Sequence, residues 1–226
     1  MLKYSLSLAL TLFAAVALSA GSLSAAQLYT EQGGDSSRMI STAQLITDPS
    51  PGLTGTGPLT GIQGSLITPS GIDLYGFTVT SSTFTATVTS FPSTGSAELF
   101  LFDSSGLGVF WSNNGAGGQT SLSASNLTVG SIYYLAINNF RNTPFSSGGQ
   151  IFDVTAGGSG GPTGPGGSAP LVDWTGNRGS TVTGPYSISL DGAAAIVPEP
   201  ALLPGLLGLG LFGLGVAGYR KIKAGA

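Results

Sequence analysis

Carboxylates are the main side chains in the middle of this chain that could move protons near neutral pH. The 226 residues include no histidine and no cysteine. That removes Ser-His-Asp and Cys-His nucleophile systems, the ordinary ligand sets of zinc, and any disulfide. A Ser-Lys dyad is missing too, since the only lysines are Lys3, Lys221 and Lys223, near the two ends. Asp73, Glu98, Asp103 and Asp153 are the candidates for a carboxylate pair of the glycoside-hydrolase kind, one acting as acid and one as base or nucleophile. They carry no motif, and solvated or turn carboxylates are the simpler reading. Asp73, Asp103, Asn113 and Asn114 offer hard oxygen donors suited to calcium, without EF-hand or nonapeptide spacing; Asx residues also build turns. Trp111 and Trp174 could form a sugar-stacking face, although tryptophan more often packs inside. No catalytic residue, metal site or cofactor is assigned from these residues.

The elements that must position them read as β throughout. Tyr75, Phe77 and Val79 alternate with smaller residues, and Phe84, Ala86 and Val88 alternate with Thr83, Thr85, Thr87 and Thr89. Tyr186, Ile188 and Leu190 alternate with Ser187 and Ser189. Period two with a Thr/Ser outer face predicts half-buried antiparallel strands. Leu99-Phe100-Leu101-Phe102 and Ile132-Tyr133-Tyr134-Leu135-Ala136-Ile137 are apolar on both faces. They are expected as central strands covered on both sides. Turn signals such as Asp103-Ser104-Ser105-Gly106 and Asn113-Asn114-Gly115 separate the strands. An all-β fold of two packed antiparallel sheets is predicted. The Gly/Pro-rich stretch 157–170 is too poor in apolar residues to be expected to pack, and is read as an exposed loop.

The two ends read differently from the middle. Lys3, the apolar run Leu6 to Leu18 and the small residues Ser24-Ala25-Ala26 form a secretory signal pattern over 1–26, with cleavage expected before Gln27. At the other end stand Val197-Pro198-Glu199-Pro200, an uncharged span 201–219, and Arg220, Lys221 and Lys223. Nineteen helical residues at ~1.5 Å each reach about 28 Å, close to the hydrocarbon thickness of a bilayer. The basic residues are expected to stay cytoplasmic, leaving the domain outside. Six glycines in the span have no pair four apart, so no close-packing dimer motif is present. Gly208-Leu209-Gly210-Leu211-Phe212-Gly213 matches G-x-G-x-x-G, but no strand precedes it and no acidic residue follows, as a dinucleotide site requires.

The tail, 196–226, resembles the PEP-CTERM sorting signal of exported Gram-negative bacterial proteins. That resemblance implies recognition and cutting near Val197-Pro198-Glu199-Pro200 by an exosortase, after signal peptidase has acted at the other end. The prolines keep the site extended and short of hydrogen-bond donors, which suits a protease. The middle resembles the bacterial pre-peptidase C-terminal-like domain, a jelly-roll-type β-sandwich, over about 41–192. Its marks are Ser41-Thr42-Ala43-Gln44, Asp73-Leu74-Tyr75-Gly76-Phe77, Leu99 to Asp103, Leu127 to Ile137, and Tyr186 to Leu190. That family implies binding or secretion without chemistry of its own.

Four segments are thus expected: signal peptide 1–26, flexible lead 27–40, β-sandwich 41–195, and sorting signal 196–226 with its membrane helix 201–219. Residues 27–196 carry nine acidic and three basic residues (Arg38, Arg141 and Arg178), which argues against nucleic acid as a partner. The expected function is that of a non-enzymatic exported envelope or surface protein with a structural or binding role in extracellular polysaccharide. A carbohydrate- or calcium-binding module and a carboxylate hydrolase are the alternatives.

Overall fold

The computed structural model describes residues 25–35, 37–68, 71–113, 119–155, 157–175 and 182–199. Ser24, Asn114, Arg178, Pro200, Arg220, Lys221 and Lys223 lie outside the described residues, as do most of the expected signal peptide and the whole span 201–219.

The described chain is all-β, with no α-helix and one short 3-10 turn at Ile40–Thr42. Its strands in order are β1 (Gln27–Thr30), β2 (Gln44–Leu45), β3 (Leu53–Thr54), β4 (Leu59–Leu66), β5 (Ile72–Val79), β6 (Thr83–Ser90) and β7 (Ala97–Asp103). They continue as β8 (Gly108–Ser112), β9 (Ser121–Ser125), β10 (Ile132–Asn139), β11 (Pro144–Ser146), β12 (Gly149–Gln150), β13 (Ser159–Gly160), β14 (Asp173–Trp174) and β15 (Gly184–Ala194).

Hydrogen bonding joins most of these into one sheet that turns back on itself through β15. One half runs β13-β8-β7-β10-β5, and the other runs β9-β6-β15-β4-β1-β3. The first part of β15 pairs with β4 and β6, whereas Ala193 and Ala194 pair with Val79 and Thr78 of β5. The register breaks between Ser189 and Ala193, where Gly192 sits at φ +82° with the Thr83 carbonyl where a Cβ would go. Only glycine takes that corner without strain. Most pairings are antiparallel, as expected. Two are parallel, β1 with β4 and β2 with β5.

One apolar core lies between the two halves. Phe77 and Val79 of β5, Leu99 and Leu101 of β7, and Leu135 and Ile137 of β10 meet Phe84 and Val88 of β6 and Ile188 and Leu190 of β15. On β6 the threonines face outward while Phe84, Ala86 and Val88 are buried. The other faces of β5, β7 and β10 form a second core, where Leu74, Phe100, Phe102 and Ala136 meet Ile151, Phe152, Leu171 and Trp174. The Phe100 ring lies 5.5 Å from both Phe152 and Trp174. The strands read as apolar on both faces are therefore covered on both faces.

Two segments differ from expectation. The lead 27–40 includes an ordered strand: Gln27 and Tyr29 are buried, and β1 joins β4 and β3. Residues 157–170 do not form a loose loop. The N–H groups of Gly164 and Gly166 donate to the carbonyls of Ile151 and Gln150, and Leu171 N–H donates to the Gly106 carbonyl. A Cβ on Gly166 would meet the Gly149 carbonyl. Here glycine permits tight backbone packing, which an apolar-residue count does not register.

Candidate functional site

Glu98 stands near the start of β7, on the same face as Phe100 and Phe102. Asn138 of β10 is its cross-strand partner, so the two side chains are neighbours on one face. Both residues are fully buried. Glu98 Oε1 accepts a hydrogen bond from Asn113 Nδ2 at 3.3 Å, and the Arg141 and Asn142 backbone N–H groups also donate to the carboxylate. Asn113 Oδ1 accepts from Gly158 N–H at 3.0 Å, which ties the Gly-rich stretch to the cluster. Asn138 Nδ2 donates to the Asn142 carbonyl at 2.7 Å. Among the described residues, Glu98 Oε2 and Asn138 Oδ1 have no hydrogen-bond donor. Burial pushes the Glu98 carboxyl up to about 7, against the downward pull of its three hydrogen bonds.

The turn that Glu98 holds carries an exposed cation. Arg141 sits at φ +74°, a left-handed conformation that costs a non-glycine residue about 1–2 kcal/mol. Its guanidinium carbon lies 5.4 Å from the Phe140 ring centroid. Beside it is a cavity of about 360 Å³ between Phe140, Arg141, Thr143, Phe145, Gln150 and Thr175. Arg38 and Arg141 are the only basic side chains among the described residues. Arg38 is committed to Asp173 at 3.7 Å. Among the described residues Arg141 has no carboxylate partner.

The other sequence candidates are dispersed. Asp73 Oδ2 lies inside the sheet-to-sheet core and accepts from the Tyr186 hydroxyl at 2.7 Å. That hydroxyl in turn lies 2.5 Å from the Tyr75 hydroxyl. Burial, then the neighbouring Tyr75 and Asp73, hold the Tyr186 phenol well above its usual range. Asp103 accepts the Ser105 and Leu107 N–H groups of its own turn, both at 2.9 Å. Glu98 and Asp103 stand about 16 Å apart along β7 by strand rise, beyond the ~9.5 Å limit for paired carboxylates. Asp153 is exposed beside buried Phe152. The calcium candidates Asp73, Asp103 and Asn113 are thus spent on a tyrosine, a turn and Glu98. Trp111 and Trp174 are buried and cannot form an exposed sugar platform.

At the chain ends, Ala25 and Ala26 are exposed and Gln27 is buried. The Gln27 N–H donates to the Pro58 carbonyl at 2.8 Å. Among the described residues, Ile196 is the last bonded into the fold: its N–H donates to the Ile46 carbonyl, and its own carbonyl accepts from Asp48 N–H. Val197, Pro198 and Glu199 follow at once and are exposed. Asp48 also accepts from Gln27 Nε2 at 3.1 Å, so Gln27 and Ile196 share one anchor; upstream, the Ala25 carbonyl accepts from Thr56 N–H at 2.9 Å.

Sequence reasoning passed over Arg141. The available signal was a lone arginine between Phe140 and Asn142 in a middle segment with only three basic residues. Compared with protein-family models and with curated proteins, the chain matches neither.

Proposed function

We propose that this chain is a non-enzymatic exported protein, sorted to the cell surface or its polysaccharide matrix through the tail that follows Ile196. Its β fold is of the jelly-roll sandwich type, resembling pre-peptidase C-terminal-like domains. Signal peptidase cuts before Gln27, and an exosortase acts at Val197-Pro198-Glu199-Pro200. The segment 201–219 anchors the chain in the membrane until then, with Arg220, Lys221 and Lys223 inside.

One observation carries this reading most directly. Among the described residues, the motif begins one residue beyond the last sheet hydrogen bond, and its described part is exposed. Cutting there removes no strand and no core residue among the described residues. The dispersal of Asp73, Glu98, Asp103 and Asp153 supports a role in binding or structure over hydrolysis. Mass analysis of the chain from cells with and without the sorting protease tests the proposal. The expected product starts near Gln27 and ends near Pro198 only when the protease is active. An intact tail alongside an active protease would overturn it.

A further inference from the structure

We infer that the cavity beside Arg141 binds a carboxylate-bearing sugar unit of an acidic polysaccharide, with the Arg141 guanidinium on the carboxylate. This rests on the proposed surface role and gives its binding function a chemical class.

Two costly features converge on placing this one cation. A fully buried carboxylate, Glu98, accepts the backbone N–H groups of Arg141 and Asn142. Arg141 itself holds a backbone conformation that favours glycine. Glycine there would relieve the strain, so conformation alone does not call for arginine. What arginine adds is a guanidinium that stays charged at any relevant pH. In a chain of net charge -3, that charge is exposed at a cavity and has no carboxylate partner among the described residues.

The cavity walls specify the rest. The planar guanidinium fork matches a planar carboxylate with two parallel hydrogen bonds. The Phe140 and Phe145 rings line the same cavity and suit the apolar face of a pyranose ring. The side-chain amide of Gln150, also in the lining, makes no hydrogen bond among the described residues and can both donate to and accept from sugar hydroxyls. The volume of about 360 Å³ falls at the small end of ligand sites, which run ~300–1,000 Å³. A lone guanidinium suits one carboxylate per sugar unit better than a doubly charged phosphate, which ordinarily gathers several donors.

The full chain in detergent, titrated calorimetrically with tetragalacturonate and with neutral maltotetraose, tests the inference. Arg141→Gly is the informative variant, because glycine fits the backbone and the fold should persist. Tetragalacturonate is expected to bind the parent chain, and Arg141→Gly to bind it roughly ten- to a hundredfold more weakly. The melting temperature of the variant should be unchanged or higher. Arg141→Lys keeps the charge, loses the fork, and should fall between. Equal uronate binding by parent and Arg141→Gly would overturn the inference, as would a preference for maltotetraose or no binding to either sugar. Surface sorting is read separately from the tail-processing masses. Normal processing without uronate binding therefore removes this inference and leaves the export proposal standing; uronate binding without processing does the reverse.

Discussion

Replacing Glu98 with glutamine should make the protein more stable in alkaline solution and leave it nearly unchanged in acid. The folded carboxyl titrates at about 7 against an ordinary 4.5, so the folded state holds the proton more tightly than the unfolded state does. Stability is therefore greatest below about 4.5, falls as pH rises toward 7, and then levels off. The gap is worth about 3 kcal/mol in all, at about 1.4 kcal/mol per decade. Glutamine copies the shape of the protonated acid. Its Oε1 can accept from Asn113, and the amide carries no charge to desolvate at any pH. Urea unfolding of the full chain in detergent at pH 4.5, 6, 7.5 and 9, parent against Glu98→Gln, measures the difference. It should be near zero at pH 4.5 and approach 3 kcal/mol in favour of the variant at pH 9. A protonated-carboxyl infrared band present in the parent at pH 6 and lost in the variant would locate the proton. A pH-independent difference, or a variant less stable than the parent at pH 9, would refute the reasoning.

Other substitutions test the packing. Trp174→Ala removes a ring that touches Phe100 and Phe102 and the Nε1 hydrogen bond to the Arg38 carbonyl at 2.7 Å; denaturant unfolding should show a loss of about 3–5 kcal/mol. Tyr186→Phe withdraws the hydroxyl donated to buried Asp73 and should cost about 1–3 kcal/mol by the same assay. Gly166→Ala pushes a methyl onto the Gly149 carbonyl and should cost about 1–3 kcal/mol, whereas a loose loop would tolerate it. Arg141→Gly should raise stability by about 1 kcal/mol through relief of its left-handed backbone.

What the sequence made legible follows from how local each signal is. Strand alternation in Phe84-Thr85-Ala86-Thr87-Val88 is a property of five neighbours, and the burial pattern of β6 follows it. The double burial of Leu99-Phe100-Leu101-Phe102 was likewise written in consecutive residues. The covering layer was not legible, because Gly157 to Pro170 packs through backbone hydrogen bonds that leave no apolar trace. The Glu98 cluster draws on β7, β10, Asn113 and the 141–142 turn, which only the tertiary register brings together. Asp73 looked like a metal ligand by type, while its actual partner, Tyr186, lies 113 positions away.

The way the last strand ends has a mechanical consequence. A pull on Glu199 is transmitted through Ile196 into β15, which runs 11 residues with neighbours on both edges. The load passes first to Ala193 and Ala194, paired with Leu59, Val79 and Thr78, before it reaches the part of β15 held by β4 and β6. Ile196, bridged in parallel to Thr47, adds a clasp where the tension arrives. A domain tethered by this end, whether to a membrane or to a matrix, is built to take drag without unravelling from its point of attachment.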